Sequence, residues 1–162
     1  MTDKLTDYEL NIVSSVETEG CFVTGVFDPD GDDPNFAYSV GFPSSLRMPE
    51  VFMSGLDVNL MASLINLLHS LAANGLELRD GLVTDQLLNG YDCVLRRVHP
   101  SFLDTEFFNS AIWYAEKFGP QPLTEALQIV WPDLDGYFPW DDGAPAEFKA
   151  AQHNLYDGEL PS

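Results

Sequence analysis

Apolar residues recur along this chain in two periods, and the switches between them predict the elements. Leu5, Tyr8, Ile12, Val13 and Val16 fall three or four apart over residues 5–18, and Gly20 follows. That spacing predicts a short amphipathic helix with a glycine stop. From Cys21 to Phe27 the chain turns to strand-forming residues, and Asp28-Pro29-Asp30-Gly31-Asp32-Asp33-Pro34 reads as a polar turn. Phe36 to Phe42 is a second strand, so the pair predicts a hairpin with a longer loop. A Pro43-Ser44-Ser45 loop leads to a third strand, Val51 to Leu56.

Asp57 or Asn59 can cap a helix running to about Ala73, ended by Asn74-Gly75. Its residues Leu60, Met61, Leu64, Ile65, Leu67, Leu68 and Leu71 are apolar over more than half the circumference, so it must be buried against a sheet. Val83 to Leu88 and Tyr91 to Val98 predict further strands. Asn89-Gly90 between them favours a tight hairpin, because both residues accept positive φ. Ser101 or Asp104 caps another helix to about Phe118, with Phe108, Ile112 and Ala115 on one side. Leu127 to Trp131 is a last strand and Ala146 to Ala151 a last short helix. Strands outnumber helices and hairpin-length turns join most neighbours. The fold class is α+β: one domain over residues 1–162, with a mainly antiparallel curved sheet or partial barrel and two or three packed helices.

Length and composition agree with this picture. The 162 residues suffice for one sizeable core, and 45% hydrophobic residues exceed what a disordered chain carries. Charge changes the picture more. With 26 acids against 7 bases the net charge is -19, a field that repels phosphate backbones and anionic membrane surfaces. No nucleic acid and no membrane is therefore expected as a partner. Split after Gly81, each half holds 13 acids, so the excess is spread and not gathered in a tail. It reads as solubility, or as a receptor for a basic protein or a decoy for DNA. Cys21 and Cys93 are the only cysteines, and no signal peptide or long apolar span is found, which predicts a cytoplasmic protein with reduced thiols. A bridge between them requires adjacent strands.

The densest stretch is Val130 to Asp142, with two tryptophans, two prolines, a Tyr-Phe pair and four aspartates around one Asp-Gly turn. Bulky aromatics in a loop need cover. Either Trp131, Phe138 and Trp140 fold back as a core lid, or they line a groove whose acidic rim suits a basic or amphipathic partner. On the second reading the candidate binding residues are Tyr38, Trp131, Asp133, Asp135, Tyr137, Trp140, Asp141 and Asp142. Trp131 continues the run Leu127, Ile129, Val130 and is expected largely buried; Trp140, beside Asp141 and Asp142, is expected partly accessible.

Two segments resemble a bacterial family known as a domain of unknown function, DUF4262. One is Phe36-Ala37-Tyr38-Ser39-Val40-Gly41-Phe42, followed by Pro49-Glu50-Val51 and a strand ending Ser54-Gly55-Leu56. The other is Gln128-Ile129-Val130-Trp131-Pro132-Asp133, then Gly136-Tyr137-Phe138-Pro139-Trp140. With the Leu-rich helix between them, the resemblance covers nearly the whole chain. Met48 stands where that family typically carries a histidine before the Pro-Glu step. The resemblance implies no activity.

Candidate chemistry is sparse. Asp28, Asp30, Asp32 and Asp33 begin like a calcium loop, but the sixth and twelfth positions are Asp33 and Ser39 instead of Gly and Glu. His69, His99 and His153 have no metal-type partner at close spacing, and a Cys93–His99 pair lacks an orienting third group. No nucleophile elbow, P-loop or dinucleotide fingerprint is found. The first reading is thus a non-catalytic binding or interaction protein with no catalytic residue, metal or cofactor, whose partner is a basic protein or peptide. The second rests on similarity in element order to flavin-reductase-like split barrels. It implies a flavin cofactor with Ser44, Ser45 and Arg47 near its phosphate.

Overall fold

The computed structural model describes residues 4–156. Six strands are hydrogen-bonded in the order β1 (Phe22–Val26), β2 (Phe36–Val40), β3 (Glu50–Ser54), β6 (Ala126–Val130), β5 (Tyr91–Arg97) and β4 (Val83–Leu88). Only β3 and β6 run parallel. The fold is α+β, as the periodicities predict. The sheet stays open, with β1 and β4 as its edges, instead of closing toward a barrel.

Helices number five among the described residues, one more than the four marked in the sequence: α1 (Asp7–Glu19), α2 (Phe42–Leu46), α3 (Val58–Ala73), α4 (Thr105–Phe118) and α5 (Ala146–Lys149). The long ones start and stop where their sequences direct. Thr6 and Glu9 form a reciprocal capping box on α1, whose end turns at Gly20 with φ 92°. Asp57 caps α3 and Asp104 caps α4 through backbone N–H groups of their first turns. The unexpected helix is α2, over the Pro43-Ser44-Ser45 segment read as a loop. Proline fits a first turn, and the Glu50 carboxylate accepts from Gly41 N and Phe42 N at its start.

Every residue of β2, β3 and β6 is buried, because helices cover both faces of the central sheet. Ala37, Val51, Met53, Leu95, Leu127 and Ile129 face α3 and meet Met61, Leu64, Ile65 and Leu68. Phe36, Tyr38, Val40 and Phe52 face the other way and meet Ile12 and Val16 of α1 with Phe107, Phe108 and Ala111 of α4. Each valine, leucine, isoleucine, methionine or phenylalanine among them contributes about 1.5–3 kcal/mol of burial.

Cys21 and Cys93 both enter the α3 side of the core, yet β2, β3 and β6 stand between their strands. Four strand spacings are roughly 19 Å, far beyond disulfide reach. Both thiols are free, and burial pushes each up to about 12. In the β4–β5 hairpin Leu88 pairs with Tyr91, but only Gly90 takes positive φ, 85°, and Asn89 does not.

Residues 151–156 form a strap across the ends of β3 and β6, held by buried polar side chains. Gln152 Nε2 donates to Trp131 O at 2.7 Å, His153 N donates to Ser54 Oγ at 2.7 Å, and Leu155 N donates to Gln128 Oε1 at 2.9 Å. Gly55 permits this approach: it sits at φ 92°, and a Cβ there would collide with Ala151 O. No helix among the described residues is long and apolar enough to cross a membrane.

Candidate functional site

Where the chain leaves β6, Trp131 stands one residue past the strand, half-buried and packed, as expected, against the α3-side core. Its indole Nε1 donates to Ser54 O at 2.7 Å, and its ring meets Phe148 of α5 edge-on with centroids 5.3 Å apart. These contacts fix the tryptophan as one wall of a groove of about 420 Å³. Leu56 and Leu60 form the α3 side, Leu88 and Tyr91 come from the β4–β5 hairpin, and Pro132 and Leu134 complete the lining with Trp131 and Phe148. Leu134 is 87% exposed and Leu60 42%, so the apolar surface is open to solvent.

The loop that carries Leu134 is set by one carboxylate. Asp133 Oδ1 accepts from Asp135 N at 3.0 Å and from Tyr137 N at 2.9 Å, while Gly136 takes φ 89°. This is the local side-chain-to-backbone pattern that makes aspartate a turn former. Acids stand beside the groove: Asp133 lies in its lining, and exposed Asp57, Asp135 and Glu147 are each next in sequence to a lining residue.

The candidate residues divide. Trp131 and Asp133 line the groove and Asp135 adjoins it. Tyr38 is on the opposite side of the sheet, buried, with its hydroxyl accepting from Ser110 N at 2.9 Å. Trp140 is half-buried, in the same range as Trp131, and belongs to a separate cluster. It stacks on Phe138 at 5.1 Å and meets Tyr156 at 5.6 Å, and the Arg96 guanidinium lies over both Trp140 and Tyr156. Arg96 is buried, with Nε 3.3 Å from Asp80 Oδ1, near enough for an ion pair but not aligned for a hydrogen bond. Asp141 Oδ2 accepts from Phe138 N at 2.8 Å, so this aspartate also shapes a turn, while Asp142 is exposed. Tyr137 is 42% exposed and outside the groove lining.

The residues of the flavin reading divide too. Ser44 and Arg47 line a second cavity, of about 740 Å³, between α2 and the end of α4. Ser45 is held elsewhere, with Oγ 2.6 Å from Gly20 O, 3.1 Å from Gly41 O and 3.0 Å from His69 Nε2. Which of the serine and the imidazole donates in that contact is set by the His69 tautomer. The contact ties α1, α2 and α3 together.

The sequence reading missed Glu50. This glutamate opens β3, is fully buried, and accepts from Ser39 Oγ at 2.7 Å, Gly41 N at 2.8 Å and Phe42 N at 3.1 Å. Burial outweighs those donors and raises its carboxyl from 4.5 to about 7. The available signal was an acid heading the apolar run Val51-Phe52-Met53, which only a partnered carboxylate can do. Asp28 has the opposite environment. Backbone N–H groups of Asp33, Asp30 and Asp32 lower its carboxyl and make it the organiser of the β1–β2 turn.

No curated protein and no solved structure is similar enough to the chain to count as a match. A family model described as Domain of unknown function (DUF4262) matches residues 15–145, and the chain belongs to that family.

Proposed function

We propose that this chain is a non-catalytic binding protein whose groove beside Trp131 takes a bulky apolar side chain from a basic protein or peptide. One observation carries the reading: apolar side chains from four separate segments converge on an open groove, with Leu134 left 87% exposed at its edge. Exposed apolar surface of this kind, rimmed by polar groups, marks interaction sites. Phe148 already packs edge-on against Trp131, so aromatic contact suits the wall. The acidic flanks and the net charge of -19 select a partner of the opposite sign and speed its approach. Both thiols speak for a role without catalysis, being buried with their pKa pushed up to about 12.

The test is a set of labelled peptides: lysine-flanked with one central phenylalanine, the same with serine in its place, and the same with glutamate flanks. The first binds, the other two bind at least about tenfold more weakly, and added salt weakens the first. Asp135→Lys with Glu147→Lys, neither side chain hydrogen-bonded among the described residues, reduces affinity by about tenfold. Equal binding of the phenylalanine and serine peptides would sink the proposal.

A further inference from the structure

We propose that the cavity between α2 and α4 binds an organic monoanion with an apolar body, its carboxylate or equivalent group seated on Arg47. The cavity holds about 740 Å³, within the range of small-molecule sites. Its apolar walls are Met48, Phe118, Leu123 and four prolines, Pro43, Pro49, Pro120 and Pro122. Prolines fix their own backbone, so the walls are largely preformed. Ser44 and Thr124 supply hydroxyls.

Two features of Arg47 point to a ligand. It ends α2 at φ 58°, and it is the only residue other than glycine at positive φ among those described. A helix stop of this kind is met without strain by glycine, so an arginine held there is retained for its side chain. Its charge is also left unused. Arg96 and Arg97 reach Asp80 and Glu125, but Arg47 forms no ion pair among the described residues, in a chain with 26 acids. A guanidinium offers paired N–H groups that match a carboxylate. Glu125 on the cavity wall and the net charge of -19 oppose a second negative charge on the ligand. At physiological ionic strength charges beyond about 8 Å are largely screened, and Glu125 on the same wall faces Arg97 at 3.9 Å, which leaves Arg47 as the lining charge with no ion pair among the described residues.

The probes are 4-phenylbutyrate and its neutral amide, titrated into the full chain and followed by calorimetry and ligand-observed NMR. Wild type binds the acid about tenfold tighter than the amide. Arg47→Gln and Arg47→Gly lose that preference, and Arg47→Lys keeps part of it. Arg47→Gly relieves the positive φ, so unfolding midpoints and circular dichroism keep loss of binding apart from loss of fold. Leu134→Ser, in the other groove, leaves the binding unchanged, so this site and the peptide groove fail or succeed separately. The proposal is overturned by no binding of the acid up to about 10 mM, by equal affinity for acid and amide, or by undiminished binding in Arg47→Gln.

Discussion

Replacing Glu50 by glutamine should alter how stability depends on pH. In the folded chain this carboxyl is raised from 4.5 to about 7, because burial disfavours its charge more than three donors favour it. Between those values the folded state holds a proton that the unfolded state has released. Its contribution to stability is therefore complete below the unfolded pKa and is lost as pH rises through the folded one. From pH 5 to pH 8 the loss is about 2.5 kcal/mol. A glutamine side chain has the same shape and no titration, and the remaining acids titrate alike in both proteins, so the difference between them isolates this group. Urea unfolding followed by circular dichroism at pH 5, 6, 7 and 8 measures it, staying above the range where the carboxylates protonate and net charge collapses. The advantage of wild type over Glu50→Gln should shrink steadily and level off above pH 7. Parallel curves would refute the reasoning, since they would mean that Ser39, Gly41 and Phe42 hold the carboxylate charged throughout.

Three further outcomes are expected. Gly55→Ala meets both positive φ and the Ala151 carbonyl, so it should cost about 2–4 kcal/mol in denaturant unfolding and loosen the strap to hydrogen exchange. Trp131→Ala and Trp140→Ala should each cost about 2–4 kcal/mol, because both are half-buried and the second strips a buried guanidinium of its aromatic cover. Cys21 and Cys93 should resist a thiol reagent in the native chain and both react in urea, since each is buried and protonated at neutral pH.

Local signals are legible in the sequence, and signals that depend on distant residues are not. Thr6, Asp57, Asp104 and Gly20 mark helix ends through bonds to their own neighbours, so they can be read one by one. The β1–β2 and β4–β5 hairpins follow from the turn between each pair. The parallel pairing of β3 with β6 has no local mark, because more than seventy residues separate the strands. Helix α2 escapes a sequence reading for the same reason: its first N–H groups are accepted by Glu50, which lies beyond its end. In the candidate site Trp131 and Asp133 stand out by composition. Leu60, Leu88 and Phe148 join them only through topology, and the pull of Trp140 toward Arg96 is likewise a long-range event.

The central claim is that the partner sits on the Trp131 groove, and an NMR shift map with the lysine-flanked phenylalanine peptide tests it most directly. The Trp131 indole N–H and the amides of Leu56, Leu60, Leu88, Leu134 and Phe148 should move on titration, while Tyr38 and the Trp140 indole stay in place. Shifts spread over the acidic surface, or centred on Trp140 with the groove unmoved, would contradict the account.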